Sequence, residues 1–475
     1  MAMEDETIRV ALDAAVQRYE ERNKRSKELY LEALESLPGG NTRTLLHERP
    51  FPIVMKRGEG HRLLDEDDHE YIDLVGEMTA GLFGHSQPLL LRTIEETARN
   101  VGLSLGAVSA AEARYASLLC GRFALDRVRF TNSGTEANLH ALAGARRFTG
   151  RRMVVGFSGG YHGGVLHFGQ ALDRGDGDGG DVHYGVAENN VDPDTFIVLR
   201  YNDSEAVKRT FEERGESIAA VLVEGMQGSA GYIPATPEFL LTIQEECEKA
   251  HSVFILDEVQ TSRLAPGGLQ STFPPATPLR PTLTTLGKWL GGGLPFGAFG
   301  GSRAVMGVYD PSQPGALAHS GTFQNNTLML HAGRAALADV YTPEKAVEHS
   351  TRGDAFRARL NAATRGTKVA FSGLGSLAHL HVAETWGRSR DAGGESGEEM
   401  QMQMQMQTKI KCKEEAGPED EDVKTLFWLY MLERGFWVQR RGNIALILDM
   451  PQEALDRFVG AVGEFVRGYG ESLKL

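Results

Sequence analysis

Val253-Phe254-Ile255-Leu256-Asp257-Glu258-Val259-Gln260 and, a short way on, Thr284-Thr285-Leu286-Gly287-Lys288-Trp289-Leu290-Gly291-Gly292-Gly293 decide how this chain is read. Four apolar residues, two of them β-branched, predict a short buried strand. It ends in Asp257, which puts a carboxylate at the C-terminal edge of the sheet, where open α/β sheets bind their ligands. Lys288 stands among apolar residues and glycines with no acid beside it. In such surroundings an amine loses hydration, its pKa falls, and it becomes usable as a nucleophile. Taken singly, each has a plainer explanation: a caged core acid, and a surface lysine on a glycine loop. Taken together, they suit pyridoxal phosphate chemistry, in which a lysine holds the aldehyde and an acid keeps the pyridine nitrogen protonated.

Working outward, Val128-Arg129-Phe130-Thr131 reads as a strand that runs into Asn132-Ser133-Gly134-Thr135-Glu136-Ala137-Asn138, the start of a helix reaching Phe148. Strand, small polar turn and helix form a phosphate-binding geometry, because free N–H groups and the helix dipole favour a dianion. Ser133 and Thr135 would add hydroxyl donors, although either could equally be a plain N-cap. Met153–Phe157 is the next strand, ending in Ser158-Gly159-Gly160-Tyr161-His162-Gly163-Gly164. An aromatic residue between glycines at a strand end can lie flat on a ring or simply pack. Ala219–Glu224 is a further buried strand ending in an acid, and Pro237–His251 a helix. This alternation from 128 to 300 argues for a parallel, doubly wound sheet. Pro266 to Pro281 is loop. His319-Ser320-Gly321-Thr322-Phe323-Gln324-Asn325-Asn326 is a second small polar turn before a helix that runs to about Val340, hence another candidate phosphate contact.

At the ends of the chain, residues 7–37 predict a helix with Leu12, Val16, Tyr19, Leu29, Leu34 and Leu37 on one stripe, stopped by Pro38-Gly39-Gly40. Strands are expected at 52–55, 61–65 and 70–74. Asp65-Glu66-Asp67-Asp68 between them reads as a charged turn rather than a metal site. The acidic, glycine-rich stretch 173–183 matches no EF-hand spacing and reads as a flexible loop. From about 345 a smaller α/β unit begins and closes with an amphipathic helix at 452–468. A low-complexity insertion at 387–422, containing Gln401-Met402-Gln403-Met404-Gln405-Met406-Gln407, interrupts it and reads as disordered.

The 475 residues suggest roughly three structural units. A net charge of -14 argues against a nucleic-acid surface. Three cysteines, Cys120, Cys247 and Cys412, lie too far apart for a zinc motif or a disulfide framework, so no metal is expected. Met1–Glu6 is acidic, and no apolar run reaches membrane-spanning length. The expectation is a soluble, cytoplasmic protein with neither a nucleic-acid nor a membrane partner.

Asn132–Asn138, Ser158–Gly163, Asp257–Gln260, Thr285–Lys288 and His319–Phe323, in this order, resemble the class III, fold-type I aminotransferases that use pyridoxal phosphate. The resemblance covers about residues 35–470. Two branches look closest: aromatic β-amino-acid aminotransferases and glutamate-1-semialdehyde 2,1-aminomutases. Thr42-Arg43-Thr44, Thr79–His85, Thr261–Pro266 and Arg440-Arg441-Gly442 look more like the first. The resemblance implies an α/β fold: a large cofactor domain with a mostly parallel sheet at 76–335, and a smaller α/β domain built from 1–75 and 336–475. It implies that Lys288 holds the cofactor, Asp257 pairs with the pyridine nitrogen, and Ser133, Gly134 and Thr135 bind the phosphate. Tyr161 would stack on the ring, and Gln260 would lie near its hydroxyl. Thr322 would reach the phosphate of a neighbouring subunit, making a homodimer with shared active sites. Arg43 and Arg441 would bind substrate carboxylates. Glu224 departs from the pattern, since Gly225 follows it where the family usually has proline. The expected activity transfers an amino group from an amino acid, with a β-amino acid favoured, to a 2-oxo acid. The alternative is an isomerase of the aminomutase kind, and a non-catalytic cofactor-binding module would have no need to keep Lys288.

Overall fold

Seven strands form the central sheet, in the spatial order Arg127–Thr131, Gly297–Gly301, Leu283–Gly287, Val253–Asp257, Ile218–Glu224, Met153–Phe157 and Phe196–Leu199. The computed structural model describes residues 2–171, 184–186, 191–391 and 410–475. All strands of this sheet run the same way except Gly297–Gly301, which is antiparallel to both its neighbours. The central strands are buried along their whole length, which explains their unbroken apolar runs. Their common direction brings the chain after Thr131, Phe157, Glu224, Asp257 and Gly287 to one edge. In register, Asp257 stands between Glu224 and Thr285.

The chain termini meet in a separate core. Met55–Glu59, Arg62–Asp65 and Glu70–Asp73 share a sheet with Phe436–Trp437, which lies parallel to Glu70–Asp73. Tyr19, Phe51, Phe356, Trp428, Phe458 and Phe465 pack into one cluster beneath it. The helix Gln452–Gly468 buries Leu455, Phe458, Val462 and Phe465 there, each contributing about 1.5–3 kcal/mol by removal from water. A separate three-stranded sheet of Val369–Ser372, Leu377–Val382 and Asn443–Ala445 gives Phe371 and Leu380 to this core and Ala370 and Leu377 to the apolar cluster of the main sheet.

Several expectations need correction. The single helix over 7–37 is two, Ala2–Arg22 and Lys24–Leu34. Asn23 interrupts it because its side chain turns back to the Tyr19 carbonyl (2.8 Å). Asp67 then receives the backbone N–H groups of Arg25 (2.7 Å) and Ser26 (2.9 Å). The charged turn is therefore a helix cap, and its Asp65 binds Tyr71 and His69. Leu34 and Leu37 are exposed, so the stripe ends earlier than its spacing suggests. The strand expected at 52–55 starts only at Met55. Both ends of the stretch 387–422, expected to be disordered, are structured. Glu384–Asp391 is helical, and Ile410, Cys412 and Ala416 are buried against the main sheet's flank. Residues 173–183 and the Gln-Met repeat lie outside the described residues. No described helix is long and apolar enough to cross a membrane.

Candidate active site

The edge where the parallel strands end opens into a cavity of about 770 Å³. Ser133, Gly134, Thr135, Tyr161, Asp257, Gln260 and Lys288 all line it. These residues come from four separate strand ends and loops, which is how a doubly wound sheet gathers groups distant in sequence.

Asp257 is buried and held by three donors. Its Oδ2 accepts from His162 Nδ1 (2.7 Å) and Asn138 Nδ2 (2.8 Å), and its Oδ1 from the Val259 N–H (2.9 Å). Because a carboxylate only accepts here, His162 carries its proton on Nδ1. Asn138 is oriented in turn by the Thr285 hydroxyl (2.8 Å) and donates also to the His162 carbonyl (3.1 Å). Asn138 is thus fixed by contacts of its own, which restrains the carboxylate it donates to. Glu224, buried beside it, accepts the N–H of Tyr161 (3.0 Å) and of Gly228 (3.1 Å). Burial pushes its carboxyl up to about 7, with His162 opposing and Asp257 adding to the rise.

Lys288 follows the strand Leu283–Gly287 directly and takes the left-handed backbone conformation, with φ +55°. Burial lowers its amine below the usual lysine range, and the nearby Asp257 and Glu224 only partly offset this.

Ser133 caps the helix Gly134–Thr149, its Oγ accepting the Glu136 N–H at 3.2 Å. The capping and anion-binding readings do not compete, because a cap satisfies one N–H and leaves others of the first turn for a ligand. Two glycines shape this corner. A Cβ on Gly134 would lie 2.8 Å from Val259 Cγ2, and one on Gly163 (φ +125°) 2.2 Å from Thr135 Oγ1. Tyr161 keeps 38% of its surface exposed, so its ring borders the opening. The lining also has an apolar part: Phe83, Leu90, Leu91, Ile94, Leu294 and Phe296.

Arg43, Arg441 and Thr322 are not brought into that lining. Arg43 reaches it indirectly, since its Nη1 lies 2.5 Å from Oε1 of Glu77, a lining residue. Arg440 is taken up by Glu48 (2.8 Å) and Glu421 (2.9 Å). Arg441 makes no ion pair among the described residues and is half-buried; burial and the neighbouring Arg440 hold its guanidinium below the usual range, with Glu48 opposing. Thr322 is exposed on the same loop as Phe323, which is 63% exposed. Reasoning from sequence missed Asn138, His162 and Glu77. His162 stood within a quoted motif, and Asn138 lies four residues after Gly134, one helical turn along the same face. Glu77 left no signal.

The sequence profile of one family, aminotransferase class III, matches residues 46–385. An uncharacterised aminotransferase of Schizosaccharomyces pombe is 42% identical over 459 residues, covering 96% of this chain and 95% of that protein. A β-phenylalanine transaminase of Variovorax paradoxus is 40% identical over 466 residues, covering 98% and 97%. A solved structure of a β-phenylalanine aminotransferase from Variovorax paradoxus superposes with a TM-score of 0.87 at 39% identity, covering 98% of this chain and 99% of that one.

Proposed function

This chain belongs to the class-III aminotransferase family, and on that premise we propose that it transfers the amino group of a β-amino acid, with an aryl group as the favoured substituent, to a 2-oxo acid with pyridoxal phosphate as cofactor. One observation carries this reading: Lys288 and Asp257 face one cavity that also has an anion-binding helix start and an apolar wall.

The donor set fits the cofactor. The first turn at Ser133, Gly134 and Thr135 suits its phosphate, and Gly134 and Gly163 let Val259 and Thr135 pack closely around that corner. Tyr161 suits its ring face, Gln260 its hydroxyl, and Asp257 its pyridine nitrogen. When bound, pyridoxal phosphate takes up the electron pair left on the substrate carbon and carries the amino group between the two substrates. His162, Asn138 and the Val259 N–H keep the Asp257 carboxylate aimed toward the place of the pyridine nitrogen. Lys288 Nζ, with its pKa lowered by burial, would hold the cofactor aldehyde and, when free of it, would move the proton at the substrate carbon. The Phe83, Leu90 and Phe296 wall excludes water and offers area for an aryl group.

On this reading Arg43 and Arg441 take substrate carboxylates, since guanidinium groups bind them bidentately. Glu77 holds Arg43 through Nη1 and leaves the rest of the guanidinium for a substrate carboxylate. Thr322, exposed on one chain, reaches the phosphate of a second copy, so the enzyme is a homodimer. The resemblance to the β-phenylalanine transaminase along almost the whole chain supports the donor class.

The test is Arg43→Ala assayed with two donors. Losing a charge-assisted contact costs about 1.5–3 kcal/mol, so kcat/KM for a carboxylate donor should fall roughly 10- to 150-fold. An aryl amine without a carboxylate should fall much less. Equal losses would make Arg43 structural. A requirement for an external 2-oxo acid separates the transferase from an aminomutase.

A further inference from the structure

Gly76, Glu77, Met78 and Thr79 form a run of four left-handed residues, with φ of +50°, +48°, +51° and +79°. Only glycine adopts this region without penalty, and a β-branched threonine there is an outlier. The Thr79 hydroxyl is also buried without a partner. Strain of this kind persists only where the surroundings over-determine it, and it concentrates at functional sites. The turn borders the cavity through Glu77, Ala80 and Gly81.

The contacts that impose the turn lie at its two ends. At the start, Asp73 Oδ1 accepts the N–H of Val75 (2.7 Å) and Gly76 (3.0 Å), and a Cβ on Gly76 would lie 2.9 Å from the Ala445 carbonyl. Across it, the Gly81 N–H reaches the Gly76 carbonyl (2.8 Å). At the end, the Thr79 carbonyl accepts from Arg263 Nη1 (3.2 Å). Arg263 is fully buried. Its Nε donates to Ser376 Oγ (3.1 Å), and its Nη2 to the Leu446 carbonyl (2.5 Å) and to His349 Nε2 (3.1 Å). No carboxylate pairs with it among the described residues. A buried cation held only by neutral acceptors is a costly choice for stability, and its fork is what lets one side chain reach several segments at once. Arg263 follows Gln260 by three residues, so it ties the cofactor side of the cavity to the turn and to the C-terminal strands.

We infer that Arg263 is a positioning residue for substrate recognition: it pins the left-handed turn that presents Glu77, and through the Glu77–Arg43 pair it sets where the carboxylate-binding guanidinium stands. This rests on the reading of Arg43 as the carboxylate site. Arg263 itself touches neither substrate nor cofactor.

The experiment is made on the holoenzyme with Arg263→Lys, which keeps the charge and loses the fork. Amide exchange at Ala80 and Gly81 should quicken by ~10-fold or more, while the Val253–Asp257 strand keeps its protection. kcat/KM for a carboxylate donor should fall by ~10-fold more than for an aryl amine lacking one. In a Glu77→Gln background the same change should leave that ratio unaltered. Adding Thr79→Gly, which relieves the strain at that one position, should restore part of the ratio. If Arg263→Lys does not fold, Tyr341→Phe serves. It removes only the hydroxyl that holds the Arg263 carbonyl at 2.7 Å, and both readouts should move in the same direction. Unchanged exchange, or equal losses with both donors, overturns the inference. Should Arg43→Ala itself show no donor discrimination, the carboxylate reading fails, and faster exchange at Ala80 and Gly81 would still establish the pin.

Discussion

His162→Phe isolates one contact of the site. The ring of His162 packs against Phe168 at a centroid distance of 6.0 Å, and phenylalanine retains that packing while removing the Nδ1 donor. Asp257 then loses its shortest contact, at 2.7 Å, and keeps Asn138 (2.8 Å) and the Val259 N–H (2.9 Å). A hydrogen bond to a charged group is worth about 1.5–3 kcal/mol net, and two of three donors remain, so the carboxylate should stay placed but less well supported. A loss of that size is about 10- to 150-fold in kcat/KM. Because Lys288 and the phosphate corner are untouched, cofactor affinity should change less than turnover. The assay is kcat/KM with a carboxylate donor and a 2-oxo acid, alongside cofactor titration by absorbance. Turnover within about twofold of the parent would refute the claim that His162 orients Asp257. Loss of cofactor binding with normal turnover at saturation would place His162 in binding instead.

Two further outcomes are expected. Mixed dimers of a Lys288→Ala subunit and a Thr322→Ala subunit should regain activity that neither homodimer shows, provided Thr322→Ala alone is damaging. Verified hybrids with no recovery would count against a shared site. Glu224 has its carboxyl raised from 4.5 to about 7 by burial. Its stabilising contribution is complete below the ordinary carboxyl range and disappears as pH rises through about 7, a span worth about 3 kcal/mol. Measured by denaturant unfolding, Glu224→Gln should gain on the parent by that order between pH ~5 and pH ~8, and a pH-independent difference would contradict the raised value.

What was legible in the sequence was local chemistry on local structure. Asp257 could be read because an apolar β-branched run ends on it, and Lys288 because nothing polar shields it. The Ser133–Thr135 corner announced itself as a strand running through small polar residues into a helix. What was illegible depends on contacts between distant segments. Gly297–Gly301 carries three glycines and no strand signal, yet it is a central strand because ladders on both sides hold it. Its glycines are required by space, since a Cβ on Gly297 would meet the Ser133 carbonyl at 2.0 Å. Phe436–Trp437 finds Ile72 and Asp73 only across the whole chain. The left-handed turn at Glu77 exists because Asp73, Ala445 and Arg263 enclose it, and no one of these residues indicates it alone. Thr322 was legible as a polar turn before a helix, and it is exposed on this chain.

The claim on which everything else depends is that Lys288 carries the cofactor. Borohydride reduction of the purified enzyme, followed by proteolysis and mass spectrometry, measures this directly. A pyridoxyl group fixed on the peptide containing Lys288, and missing from Lys288→Ala treated the same way, is the expected result. The same label on any other lysine, or none on a yellow, active enzyme, would contradict it.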